Sequence, residues 1–134
     1  MPNITNFDPQ ERYIYLQIFV ADKDGKVRDL LALLDTGAPS TEFSDEALQY
    51  LGFLDTASQN VVLKTGLQTQ KYGKITLPHL EICSSTLNNL EVYISHFHKS
   101  WGINAIIGLD FFRRFRVTVD YSSGQIVTEP LQSS

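Results

Sequence analysis

The sequence predicts a single, mostly β domain that carries one or two short helices. Three observations point there. Runs of β-branched, aromatic and other apolar residues recur along the chain, as in Arg12 to Val20, Lys71 to Ile82 and Val117 to Tyr121, and such residues suit a pleated, half-buried surface. Two junctions between runs, Asp24-Gly25 and Ser123-Gly124, are tight-turn dipeptides that close β-hairpins. Helix signals are confined to short stretches near Ser44 to Leu51 and after Asp110.

Taken in order, a polar arm over residues 1–10 leads into a first strand from Arg12 to Val20. Asp24-Gly25 turns the chain into a second strand, Val27 to Leu34, which ends at Asp35. Ser44 is placed to cap a short helix, with Asp45 and Glu46 at the positive end of its dipole and Gly52 at its stop. Val61 to Leu63 and Lys71 to Ile82 read as a long hairpin whose polar tip is Thr65-Gly66-Leu67-Gln68-Thr69. A turn-rich connection, Ser84 to Asn89, precedes a strand over Leu90 to Ile94. Ile103 to Phe112 reads as strand, glycine turn and a short helix started by Asp110. A last hairpin, Val117 to Tyr121 with Gln125 to Thr128, closes a domain expected over residues 11–128, with a tail at 129–134.

At 134 residues, 43% of them hydrophobic, the chain has the material for one core, and a net charge of −4 gives no polybasic footprint for nucleic acid or a membrane surface. Peptides or proteins are the expected partners. The lone cysteine, Cys83, has no internal disulfide partner, and the polar start Met1-Pro2-Asn3 does not resemble a signal peptide. The expected compartment is the cytoplasm. No apolar run approaches the length of a bilayer span.

The chemically informative stretch is Leu33-Leu34-Asp35-Thr36-Gly37-Ala38-Pro39-Ser40-Thr41. An apolar strand there delivers a carboxylate straight into a glycine turn. Gly37 lets backbone amides approach that carboxylate, and the Thr36 hydroxyl can hydrogen-bond across a symmetry axis. Alone, the tripeptide also reads as an ordinary strand-ending turn. A second segment far downstream, Ala105-Ile106-Ile107-Gly108-Leu109-Asp110-Phe111-Phe112, changes the balance.

Together the two segments resemble those of retropepsin-like aspartic peptidases, in which Asp-Thr-Gly-Ala opens the active-site loop and two apolar residues plus Gly form a strand beneath it. Ile106 to Tyr121 is especially similar to the end of the retropepsin-like domain in DNA-damage-inducible ubiquitin-adaptor proteins and small bacterial relatives. The resemblance implies a closed β-barrel, a homodimer, and an aspartic endopeptidase that needs no metal or organic cofactor. It also implies catalytic roles for Asp35, Thr36 and Gly37. Ala38, Gly66, Leu67 and Ile107 are the expected substrate-binding residues, Gly66 and Leu67 lying at the tip of a flap. Only one Asp-Thr-Gly is present, so the carboxylate pair requires Asp35 from each of two subunits. Two carboxylates that close share one proton and titrate as a pair, which supplies a base and an acid in one site.

The sequence departs from the retroviral pattern at two positions. Pro39 stands where those members carry an acidic residue, and Leu109 where they carry the arginine that pairs with it. Ala38 offers no hydroxyl to the carboxylate pair, which predicts a mildly acidic to near-neutral optimum. Two other readings stay open. One is a catalytically weak or inactive peptide-binding or dimerisation module. The other is a small β-barrel that binds metal through His96 and His98, although no third ligand is evident and two polar side chains at a strand end are the favoured reading of that pair. Arg113, Arg114 and Arg116 read as a solvated basic face, and Trp101 as core, interface or pocket wall.

Overall fold

A computed structural model of the chain describes residues 2–54 and 70–131, apart from the side chains of residues 70–72. The first expected hairpin forms as read. Strand β2 (Tyr15–Ala21) pairs antiparallel with β3 (Val27–Leu34), from Tyr15 opposite Leu33 to Ala21 opposite Val27. Gly25 at the turn has φ +83°, a left-handed conformation that glycine adopts without steric cost. Asp22 fastens the turn, because its carboxylate accepts the N–H groups of Asp24 and Lys26, both at 2.9 Å, and the Arg28 guanidinium at 3.2 Å.

After the Asp35 loop the chain forms β4 (Glu42–Ser44) and helix α1 (Asp45–Leu51). Both expected caps are in place. The Ser44 hydroxyl accepts the Ala47 N–H at 3.0 Å, and Gly52 ends the helix at φ +88°. The next described strand, β5 (Gln70–Ile82), is long and pairs antiparallel with β6 (Ser85–His96). The expected pairing of this strand with Val61 to Leu63, and the tip residues Gly66 and Leu67, lie outside the described residues.

Two expectations change here. Residues 84–89 do not form a broad connection. Cys83 and Ser84 alone make the turn, at φ +51° and +61°, and β6 starts directly at Ser85. The N-terminal arm, expected to lie outside a domain over residues 11–128, is part of the fold. Asn3–Asn6 forms β1, which pairs antiparallel with β9 (Gln125–Pro130) from Asn3 opposite Thr128 to Asn6 opposite Gln125. Strand β8 (Phe115–Asp120) pairs with the other edge of β9, giving the order β1-β9-β8.

A 3-10 turn at Lys99–Trp101, strand β7 (Ala105–Ile107) and helix α2 (Leu109–Phe112) complete the chain. The remaining strands close into a barrel of order β2-β3-β7-β4-β6-β5, as expected for this fold class. Closure leaves no free sheet edge within the barrel. Its interior is packed by Leu16, Ile18, Val20, Phe43, Leu77, Leu80, Ile107 and Phe111, all at most 1% exposed. The large residues give this core its strength, since truncating a buried Phe such as Phe43 costs about 3–5 kcal/mol. A second, smaller apolar cluster of Phe97, Ile103 and Ile106, with Tyr15, Leu33, Ala38 and Trp101 packed on it, stands apart from that core.

Candidate active site

Asp35 follows the last residue of β3, and its position is set by the strand beside it. Strands β3 and β7 run parallel, with Leu33 opposite Ile106 and Leu34 opposite Ile107. The Asp35 N–H donates to the Ile107 carbonyl at 3.0 Å, which carries the ladder one residue past the strand end. The chain then turns sharply. Ala38 N–H donates to the Asp35 carbonyl at 3.1 Å, and Gly37 N–H donates to Asp35 Oδ1 at 2.9 Å. A Cβ on Gly37 would lie 3.2 Å from that same oxygen, so the absence of a side chain lets the amide reach the carboxylate. Asp35 is half-buried, while Thr36 and Gly37 are exposed.

The far side of the loop is clamped by the second motif. Leu109 N–H donates to the Ala38 carbonyl at 2.8 Å. Asp110 accepts twice from Thr41, from its N–H at 3.0 Å and from its hydroxyl at 2.7 Å. The same Thr41 hydroxyl oxygen accepts the Gly108 N–H at 3.2 Å. Thr41 is fully buried, so this chain of bonds satisfies polar groups that would otherwise be costly inside the protein. Gly108 sits so close to the loop that a Cβ there would lie 2.7 Å from the Ala38 carbonyl oxygen and 2.8 Å from Ser40 backbone atoms. Backbone approach, rather than a left-handed φ, is what requires glycine at this position.

The expected site residues therefore fall into groups. Asp35, Thr36, Gly37 and Ala38 form one turn. Ile107, expected among the substrate-binding residues, is fully buried in the main core and meets the loop only through its carbonyl. Strand alternation turns its neighbour Ile106 to the other face, into the cluster with Ala38 and Leu33. Asp110 does not cap α2, whose N-cap is Gly108 without a side-chain bond. Gly66 and Leu67 lie outside the described residues.

Sequence reasoning missed Thr41 and the clamp role of Asp110. The available signal was a hydroxyl residue closing the Asp35 loop together with an acid just past the downstream glycine. His96 and His98 have separate partners: His96 Nδ1 lies 2.9 Å from Asp45 Oδ2, and His98 Nδ1 accepts the Ser100 N–H at 3.2 Å. No group of three or more His, Cys, Asp or Glu side chains suited to a metal occurs among the described residues. Arg113, Arg114 and Arg116 are exposed, as expected. No helix among the described residues is long and apolar enough to cross a membrane.

Comparison with known proteins agrees with this architecture. A family model described as "gag-polyprotein putative aspartyl protease" matches residues 24–114, a span that includes both halves of the loop assembly. No curated protein matches the chain. Among solved structures, the chain is similar to a retropepsin-like aspartic protease from Rickettsia conorii, with a TM-score of 0.66 and 17% identity over 96% of this chain and 89% of that one. It is also similar to the retroviral protease-like domain of Ddi1 from Leishmania major, with a TM-score of 0.59 and 15% identity over 92% of this chain and 97% of that one. With the family match spanning well over half of its residues and the barrel holding an Asp-Thr-Gly loop above an Ile-Ile-Gly strand, the chain belongs to the retropepsin-like aspartic protease family.

Proposed function

We propose that the protein is an aspartic endopeptidase whose active unit is a homodimer, with one Asp35 from each subunit meeting at a two-fold axis. The observation that carries this reading is the way Asp35 is presented. A half-buried carboxylate emerges from a core strand, held by the Gly37 amide at 2.9 Å, in a loop pinned from behind by β7 and by the bonds between Thr41 and Asp110. Such fastening suits a group that must keep its position while charge moves. With one Asp-Thr-Gly in the chain, a second carboxylate comes from a second copy.

In this mechanism the ionised Asp35 takes a proton from a water held between the two carboxylates as the water oxygen bonds to the peptide carbonyl carbon. The protonated partner gives its proton to the carbonyl oxygen, so a neutral tetrahedral diol forms. The carboxyl now protonated gives its proton to the amide nitrogen. The other carboxylate takes the proton of a diol hydroxyl as the carbonyl re-forms and the C–N bond breaks, which leaves the pair again with one shared proton. Thr36, exposed beside Asp35, is assigned to bonding across the dyad. Gly66 and Leu67 are assigned to a flap that closes over substrate, and Ala38 to its binding surface. The buried Cys83, with no second cysteine in the sequence to pair with, fits a reducing compartment such as the cytoplasm.

A second reading, a peptide-binding or dimerisation module without hydrolysis, draws support from Pro39, which is exposed in the loop and has no N–H to offer a substrate backbone. Cleavage of a peptide library at several pH values, with wild type and Asp35→Asn run in parallel and oligomeric mass measured on both, separates the two. Wild-type cleavage that disappears in a folded, dimeric Asp35→Asn supports the enzyme. Equal cleavage by both proteins removes Asp35 from the mechanism, and a monomeric active species removes the dimer.

A further inference from the structure

The outer face of the barrel carries a row of side chains that neither the core nor the Asp35 loop uses. Phe19 on β2 stands opposite Asp29 on β3 and, on its other side, opposite Glu81 on β5. Cross-strand neighbours share a face, and the adjoining Val20, Leu30 and Leu80 are buried in the core, so all three point outward. Phe19 remains 37% exposed. Its ring is thus held between two carboxylates whose Cα atoms lie roughly 10 Å apart, twice the strand spacing. Asp29 accepts the Gln17 amide at 3.2 Å, and among the described residues neither acid forms an ion pair. Beside this row opens a cavity of about 240 Å³, between Gln17, Phe19 and Glu81 on the barrel and Ile4 to Asn6 on β1. Among the described residues, no lysine or arginine lines it. Strand β1 lies at the end of the order β1-β9-β8, and its ladder has a definite phase. The Phe7 N–H bonds the Gly124 carbonyl, one step beyond the Asn6–Gln125 pair. Bonded pairs alternate along antiparallel strands, so Asn3 and Thr5 direct their backbone groups to β9 while Ile4 and Asn6 turn theirs to the other edge, which no described strand covers.

We propose that this groove is a docking site for an extended, basic segment of a partner protein, which adds a strand to β1 and seats an arginine or lysine side chain on Phe19 between Asp29 and Glu81. The open edge supplies main-chain bonds of the kind that hold an added strand. Residues of that strand on the same face as Asn3 and Thr5 turn toward the barrel. A cation over the Phe19 ring gains from the negative face of the aromatic system, its alkyl stem covers exposed ring, and the two carboxylates hold its head from either side. The net charge of −4 favours the approach of basic segments over acidic ones. Asp29 lies six residues before Asp35 on the same strand, roughly 20 Å of extended chain, so the site stands apart from the loop and requires no hydrolysis.

The test titrates the full-length protein, carrying Asp35→Asn so that no peptide is consumed, with end-capped Thr-Val-Xaa-Val-Thr peptides in which Xaa is Arg, Lys, Gln or Glu, and follows backbone amides by NMR. The Arg and Lys peptides should shift the Ile4, Asn6, Phe19 and Glu81 amides and bind at least about fivefold more tightly than the Gln peptide, with the Glu peptide weakest. Asp29→Asn combined with Glu81→Gln should bring the Arg and Gln peptides level. Phe19→Thr should weaken the Arg and Lys peptides, and the amide spectra of both variants report whether the barrel is intact. Equal binding of all four peptides to the unaltered groove overturns the proposal, as do shifts confined to the Asp35 loop. Free arginine amide that binds as tightly as the Arg peptide would replace the docked segment with a small cation. Movement of the Ile4 and Asn6 amides on dilution without peptide would assign the edge to a second copy of the chain, which also overturns it.

Discussion

Asp110 holds Thr41 by two hydrogen bonds, from the Thr41 N–H at 3.0 Å and from its hydroxyl at 2.7 Å, across a separation of 69 residues. The pair ties the end of the Asp35 loop to the first turn of α2, and the Thr41 hydroxyl oxygen passes the tie on to the Gly108 amide. Thr41→Val keeps the shape but removes the hydroxyl, which strands the Gly108 N–H and one Asp110 oxygen. The expected cost is about 1–3 kcal/mol in chemical denaturation, with a fall in kcat larger than the change in KM as the loop loosens. Thr41→Ser should recover most of both.

Gly108 is the point where two backbone segments come closest. Because the atoms facing it are backbone atoms of Ala38 and Ser40, an added methyl cannot be accommodated by turning a side chain. Gly108→Ala is expected to destabilise the protein by about 1–3 kcal/mol and to lower activity further than stability, through displacement of the loop. Thermal unfolding and peptide cleavage on the same sample check the two effects.

The proposed carboxylate pair, one Asp35 from each subunit, has a stoichiometric consequence. If wild-type and Asp35→Asn subunits exchange freely, an equal mixture leaves about one quarter of the dimers with two Asp35 side chains. Activity per wild-type subunit should then fall to about half as the mixture equilibrates. Activity that stays unchanged after exchange has been verified by mass would contradict a site built from two chains.

Asp22 gives the stability a pH dependence of known sign. Burial opposes ionisation of its carboxyl, but the Lys26 and Asp24 amides and the Arg28 side chain outweigh it, and its pKa lies below the usual aspartate value. A depressed folded-state pKa contributes stability that is present above the unfolded value, about 3.9, and is lost as the pH falls through the folded value. Asp22→Asn should therefore lower Tm near neutrality. The gap between variant and wild type should narrow once the pH drops below about 4, as a series of melts from neutral to acid pH would show.

Gly124 seats the N-terminal strand. It has φ +69°, and a Cβ there would lie 2.4 Å from the Phe7 carbonyl oxygen, which is hard against backbone. The Phe7 N–H also donates to the Gly124 carbonyl at 2.8 Å. Gly124→Ala is expected to cost about 1 kcal/mol or more. It should also speed amide exchange at Asn3–Asn6 well before the barrel amides, as hydrogen exchange measured by NMR would reveal.

Much of this architecture was legible because local chemistry and the final fold agree. Asp24-Gly25 announced the β2–β3 hairpin, Ser44 and Gly52 bounded α1, and the Asp35 and Gly108 segments predicted the loop and its support. What sequence reading lost were the relationships that depend on distant partners. Asn3–Asn6 offers a single large apolar residue, Ile4, so nothing local marks it as a strand, and β9 supplies the reason for it. The Cys83-Ser84 turn uses left-handed backbone without glycine, which turn statistics do not favour. Asp110 looked like a helix cap because helix starts attract acids, and the competing claim of Thr41 became visible only when β7 was laid beside β3. The outward turn of Ile106 in place of Ile107 is a matter of strand phase, which a three-residue strand such as Ala105–Ile107 is too short to reveal.

The pairing of Asn3–Asn6 with Gln125–Pro130 has a bearing on biosynthesis. During translation Asn3–Asn6 must wait, unpaired, while more than a hundred further residues are made before its partner strand emerges. Addition of β1 to the three-stranded sheet is thus an event of late folding, resting on sequence-distant contacts that are slow to form. Until Gln125–Pro130 has been made, Asn3–Asn6 has no strand to join, so this part of the fold forms after hairpins such as β2–β3, whose strands are neighbours in sequence.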